Sequence, residues 1–271
     1  MIGAIAGDIL GSTYEILNTK RKDFTLFRPL SRYTDDTVLT IATADCILHD
    51  GNFMEYYRKY CISNQMRGYG SKFYLWALFN GKEPYNSMGN GSAMRVSPIG
   101  YIAKSVDEVL YFAEKSASAT HNHPEGIKGA QAVALAIYLA KQNSSKEEIK
   151  YFIESKLGYD LSMSYDDLKK SYKGGGTCPL TVPQAIICFL DSTDFEDSIR
   201  NAIALGGDSD TLACITGSIA EAYYKKIPAE IIEKTINKLP TKFIATIHEF
   251  SEKYIPEQIY HNYEQAIKKR G

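Results

Sequence analysis

Thr34-Asp35-Asp36-Thr37-Val38-Leu39-Thr40-Ile41-Ala42-Thr43-Ala44-Asp45-Cys46-Ile47-Leu48 sets two adjacent carboxylates between two hydroxyls and follows them with an apolar run of helical length. A near copy stands far down the chain: Gly206-Gly207-Asp208-Ser209-Asp210-Thr211, running into Leu-Ala-Cys-Ile-Thr-Gly-Ser-Ile-Ala. If the two helix starts meet in space, four carboxylates and two threonine hydroxyls converge. Like charges at close range repel and raise one another's pKa, so such a cluster needs compensation. Hard divalent cations take oxygen ligands, and two of them balance four carboxylates. Each stretch alone also reads as a capped helix start, because Asp and Thr are ordinary N-caps and acids favour a helix N-terminus. The second carboxylate at each start is surplus to capping, and Gly206-Gly207 suits a close backbone approach to a ligand. A two-metal site is the stronger reading of the pair.

Working outward, residues 2–17 read as a helix with Gly3, Gly7 and Gly11 on one face. Glycine is a poor helix former, so a glycine face implies very close packing against another helix or a ligand. Asp8 on this helix reads as a satisfied buried acid. Glu15 ends the helix before the polar stretch Asn18 to Asp23; its position fits an acid reaching into a site or a solvated surface acid. After Thr37 the helix is expected to run to His49, with Gly51 as its terminator. Helical patterns follow at 53–63, 72–80, 106–118, 125–141, 146–157, 182–190, 194–204, 209–224, 229–236 and 240–268, the last with a break near Pro256. Tyr165–Tyr172 is polar and Gly174-Gly175-Gly176 a loop. No stretch alternates over strand length. The expected fold is all-α: one multi-helix domain over residues 1–271.

Between these helices lie two further motifs. Gly89-Asn90-Gly91-Ser92-Ala93-Met94-Arg95 is either a plain Asn-Gly turn or a cradle of backbone N–H groups for an anion. In Thr120-His121-Asn122-His123-Pro124, the proline suits the first turn of the next helix. Its His-x-His pair lacks a suitably placed cysteine or third histidine for zinc, so hydrogen bonding at a pocket mouth is the better reading.

The formal net charge of -1 over 271 residues gives no electrostatic case for nucleic acid or an anionic membrane. Five cysteines, odd in number and without a CxxC pair, sit mostly in apolar helical runs. They point to reduced core thiols in a cytoplasmic protein. No apolar run approaches spanning length. Met1-Ile-Gly-Ala-Ile-Ala-Gly-Asp lacks a basic segment before its apolar residues, so a signal peptide is not expected.

Taken in order, Gly3-Ala-Ile-Ala-Gly-Asp-Ile-Leu-Gly11, Thr34-Asp-Asp-Thr37, Gly89-Asn-Gly-Ser-Ala-Met-Arg95, Thr120-His-Asn-His-Pro124 and Gly206-Gly-Asp-Ser-Asp-Thr211 resemble the motifs of the ADP-ribosylglycohydrolases. The resemblance covers most of the chain. It implies an all-helical fold with two Mg2+ or Mn2+ ions held by Thr34, Asp35, Asp36, Asp208, Asp210 and Thr211. It also implies cleavage at C1″ of the distal ribose of ADP-ribose, with release from arginine, serine, a further ADP-ribose or an O-acetyl group. Ser209 stands where threonine is common in the family. The stretch Lys146 to Thr177 matches poorly, and in the family such stretches shape the acceptor side of the pocket, so the acceptor stays open.

The chemistry is consistent with that resemblance. Cleavage at C1″ builds positive charge on the ribose, and metals can orient ribose hydroxyls and supply activated water. Glu15 matches a family acid near the metals and is assigned a catalytic or gating role, with Asp36 as the second catalytic carboxylate. Asn90, Gly91 and Ser92 are expected on the phosphates with His121 and His123 bonding to them, and an aromatic ring on adenine. Two alternatives stand: a non-catalytic ADP-ribose-binding or structural relative, and a metal-dependent phosphohydrolase using the same carboxylates.

Overall fold

Glycine at every fourth position of the first helix sets the closest backbone packing that the glycines make. The computed structural model describes residues 1–270. Its helices, in chain order, are α1 (Ile2–Gly11), α2 (Tyr14–Leu17), α3 (Asp35–Leu48), α4 (Phe53–Ser63), α5 (Ser71–Leu78) and α6 (Gly91–Met94). Then come α7 (Ser97–Ile102), α8 (Val106–Ser118), α9 (Pro124–Lys141), α10 (Lys146–Leu157), α11 (Tyr165–Ser171) and α12 (Cys178–Leu190). The chain closes with α13 (Phe195–Leu205), α14 (Ser209–Tyr224), α15 (Ala229–Ile236), α16 (Thr241–Tyr254) and α17 (Glu257–Arg270). Among the described residues there is no strand; Gly89 and Thr177 form an isolated antiparallel bridge. The all-α class expected from the periodicity is the observed one.

A Cβ added to Gly3, Gly7 or Gly11 would stand 2.4, 2.0 or 2.4 Å from the backbone carbonyl oxygens of Gly217, Ala213 and Ser209. No side chain fits there, and α14 answers with three small residues at the same spacing. The pairing is antiparallel, so the end of α1 meets the start of α14. That is how Glu15, just beyond α1, comes beside Asp208 to Thr211. Every residue of α1 is buried, as are those of α14 from Ser209 to Ala222. Alanine-rich α9 is the other central helix, packing against α6, α7, α8, α12 and α14.

The observed elements depart from expectation in four places. The first helix does not run unbroken from 2 to 17: α1 closes at Gly11, with Ser12 N–H on Asp8 O and its hydroxyl on Ile9 O, both at 2.9 Å, and α2 resumes at Tyr14. The short helices α6 and α7 are too brief to show a period. Helix α12 starts at Cys178 rather than 182, its start masked by prolines: Pro179 lies in the first turn, where no donor is needed, but Pro183 sits inside the helix. The polar stretch after Ser164 is the helix α11, with the Ser164 hydroxyl accepting from Asp167 N–H. All five cysteines are buried and unpaired. Among the described residues no helix is long and apolar enough to cross a membrane.

Candidate functional site

The two acidic helix starts do meet, and neither is spent on capping. Thr34 and Asp208 occupy the N-cap positions of α3 and α14, and neither side chain caps its own helix. For α3 that task falls to Asp8 of α1. Its carboxylate accepts from Thr34 N–H at 2.9 Å, Thr34 Oγ1–H at 2.6 Å and Thr37 N–H at 3.1 Å, and from the Thr37 hydroxyl. Asp8 is thus the satisfied buried acid expected of it. Asp35 and Asp36 are left free of structural duty. Thr211 Oγ1 reaches Asp36 Oδ1 at 3.4 Å, linking the two starts.

Carboxylate oxygens of Glu15, Asp208 and Asp210 lie within 4.8 Å of one another. Asn90 Nδ2 donates to Asp208 Oδ2 at 2.7 Å and to Thr181 Oγ1 at 3.1 Å, tying the Gly89–Gly91 turn to the cluster. Burial first, and then the neighbouring acids, push Asp36 and Asp210 well above the ordinary carboxylate range. Asp35 is also held well above it, by burial and then by Asp8. Glu15 is raised by partial burial, then by Asp208 and Asp8, with Arg32 opposing. Asp36 Oδ2 is buried and has no hydrogen-bond partner. Among the described residues no lysine, arginine or histidine forms an ion pair with Asp35, Asp36, Asp208 or Asp210. A set of carboxylate oxygens that runs from exposed Glu15 to buried Asp36 and Asp210, with one orphaned oxygen and no protein cation, is a fitting donor set for hard divalent cations.

These groups line a cleft of about 410 Å3. Thr34, Asp35, Asp36, Asp208, Asp210, Thr211 and Glu15 all face it, as do Asn90, Gly91 and His121. Ser92 and His123 do not. The Ser92 side chain is fully buried, with its hydroxyl donating to Gly126 O at 2.7 Å, so it is turned away from the cleft. His123 is the N-cap of α9, its Nδ1 accepting from Glu125 N–H at 3.1 Å. The turn's N–H groups are partly used inside the protein, Gly89 on Ser87 Oγ at 3.1 Å and Asn90 on Gly176 O at 3.1 Å. From the stretch 146–177, only Gly176 lines the cleft. Helix α10 packs on α9, while the end of the stretch comes beside the acids, Tyr172 and Gly174 lying against Gly207.

Several cleft residues escaped the sequence reading. Phe73 and Tyr85 supply aromatic surface, and Arg32, Arg67, Lys72 and Arg95 supply positive charge. Tyr85 stands 6.0 Å from His121, ring to ring. Arg67 stacks on Tyr33 at 3.8 Å, while its carbonyl accepts the first N–H of α3 from Asp35 at 2.9 Å. None of these sits in a repeated or paired motif; the one signal was Arg95, at the end of the glycine turn.

The family model described as ADP-ribosylglycohydrolase matches residues 1–264. The chain is 29% identical to the ADP-ribosylhydrolase ARH3 of Mus musculus, over 83% of this chain and 82% of that protein. It is 24% identical to the ADP-ribosylarginine hydrolase Tri1 of Pseudomonas putida, over 86% of this chain and 72% of that protein. Among solved structures, a chain of an ADP-ribosylglycohydrolase-related protein complex superposes with a TM-score of 0.64 at 23% identity, covering 98% of this chain and 97% of that one.

Proposed function

Because the chain belongs to the ADP-ribosylglycohydrolase family, we propose that it hydrolyses the C1″ ribosyl linkage of ADP-ribosylated substrates and releases free ADP-ribose. The observation that carries the reading is the unpartnered, buried Oδ2 of Asp36, set among Asp210, Asp35 and Asp208 without a protein cation. Two divalent cations, Mg2+ or Mn2+, held by Thr34, Asp35, Asp36, Asp208, Asp210 and Thr211, would supply Lewis acidity to orient ribose hydroxyls and activate water.

The remaining work falls to the protein's own groups. The aspartates would hold the cations beside the C1″ centre, where positive charge grows as the acceptor departs. Glu15, raised by burial and by Asp208, takes the proton of the attacking water. Asn90 positions Asp208 through its 2.7 Å bond. The diphosphate lies against the Gly89–Gly91 turn beside His121, and adenine against Tyr85 or Phe73. Ser92 has no part in this contact, its hydroxyl being engaged by Gly126.

A panel of arginine-linked, serine-linked, polymeric and O-acetyl ADP-ribose substrates tests the proposal by product analysis. Free ADP-ribose from at least one member is the expected result. Released inorganic phosphate would make the chain a phosphohydrolase, and tight ADP-ribose binding without turnover would make it a binding relative.

A further inference from the structure

We propose that Arg95 and Thr120 are positioning residues that hold His121 as its Nε2-protonated tautomer, with that N–H aimed over the Gly89–Gly91 turn. As a contact to diphosphate this rests on the cleft's reading as an ADP-ribose site; the tautomer itself does not.

A buried chain of groups from Arg95 to His121 fixes where the protons sit. Arg95 follows α6 and is fully buried. Its guanidinium stacks 3.8 Å from the centroid of the Tyr57 ring. Tyr57 is itself fixed, its hydroxyl 2.6 Å from Ser116 Oγ and 3.1 Å from Thr43 Oγ1. From that seat, Arg95 Nη2 donates to Ser116 O at 3.2 Å and to Thr120 Oγ1 at 2.9 Å. A guanidinium only donates, so Thr120 Oγ1 is the acceptor in that bond and its own proton is free for another. The next partner is His121 Nδ1 at 2.7 Å. The Thr120 hydroxyl also has the Tyr85 phenol as a partner; with its one proton given to Nδ1, that nitrogen accepts, and a neutral imidazole that accepts at Nδ1 carries its proton at Nε2.

Nε2 is the atom turned to the cleft: it lies 3.2 Å from where a Cβ on Gly91 would stand and 3.4 Å from one on Gly89. Burial, and then the charge of Arg95, hold the imidazole well below its ordinary value, which keeps the ring neutral. Tyr85, the other titratable group at this ring, has its phenol pushed by burial up to about 12 and stays protonated. With the opposite tautomer a bare nitrogen lone pair would face an anion. Arg95 keeps Nε and Nη1 buried without partners. Three of its possible donors go unused while Nη2 is spent on Ser116 and Thr120, so the guanidinium is held where it orients this pair.

Long-range 15N–1H NMR of the full chain with labelled histidine reads the tautomer directly, without ligand. The expected spectrum at neutral pH shows His121 protonated at Nε2 alone in wild type and in Thr120→Ser, and a mixture in Thr120→Val. ADP-ribose affinity should fall roughly tenfold or more in Thr120→Val and stay within about twofold in Thr120→Ser. Nδ1-protonated or cationic His121 in wild type overturns the proposal even if Thr120→Val does not fold, as does a wild-type tautomer and affinity in Thr120→Val. The expected tautomers with no wild-type ADP-ribose binding support the positioning and refute the ligand assigned to the cleft.

Discussion

Asp8 caps a helix to which it does not belong, its carboxylate accepting both the backbone N–H and the hydroxyl of Thr34, at 2.9 and 2.6 Å. One acid of α1 thereby sets the height and angle at which α3 presents Asp35 and Asp36. Asp8→Asn replaces an acceptor oxygen with a donor facing donors, at a cost of roughly 3 kcal/mol. Thermal unfolding and ADP-ribose release measured together should both drop, release by more than the loss of folded protein. Unchanged values in both would separate Asp8 from the site.

Gly7 against Ala213 is the tightest of the three glycine contacts, with 2.0 Å between an added Cβ and the carbonyl oxygen. Gly7→Ala cannot be absorbed by rotating a side chain, since the obstacle is backbone. The helices must part, costing at least about 3 kcal/mol. Divalent-metal affinity should fall with stability, because α14 carries Asp208 and Asp210 at its start. Differential scanning calorimetry and metal titration of the variant check both.

How far the sequence could be read follows from where each feature's signal lay. The glycine spacing foretold a close approach of α1 to another helix or a ligand, because a Cβ-free face has few other uses; that the partner is α14 was not legible. The twin acid-threonine starts foretold the cluster, because the second carboxylate at each had no local task. The capping role of Asp8 was not legible: its partners, Thr34 and Thr37, lie on another helix, and only the tertiary fold joins them. Ser92 could not be placed either, since a four-residue helix shows no face; Gly126 across the core decides its direction. Tyr85 and Phe73 were hidden among twenty tyrosines and eleven phenylalanines, whose positions carry no mark of a cleft.

Glu15→Gln tests the acid of α2, just beyond the glycine-faced helix. The change keeps size and removes basicity. Single-turnover hydrolysis should slow by roughly 100- to 10,000-fold. ADP-ribose affinity by calorimetry should change far less. A rate near wild type would remove Glu15 from the mechanism and leave proton transfer to the aspartates.

The acid cluster also fixes a sign for pH dependence. Asp35, Asp36 and Asp210 have folded-state values raised well above the ordinary range, first by burial. The folded state therefore binds protons more tightly than the unfolded chain. Their contribution to stability is full below about pH 4, the unfolded value, and is lost as pH rises through the folded values. In chelator, the melting temperature should thus be favoured by these groups at mildly acidic pH relative to pH 8. Added Mg2+ or Mn2+ should stabilise most at the higher pH, where the oxygens are ionised. A metal-induced shift that is equal at both pH values would argue against binding at these acids.

The most direct test is single-turnover release of ADP-ribose by metal-stripped protein, with Mg2+ or Mn2+ then restored, beside Asp36→Asn and Asp210→Asn. The account predicts no release in excess chelator, recovery on adding either cation, and no recovery in the two variants while their helical circular dichroism persists. Full release of ADP-ribose by the metal-stripped wild type in excess chelator would contradict it.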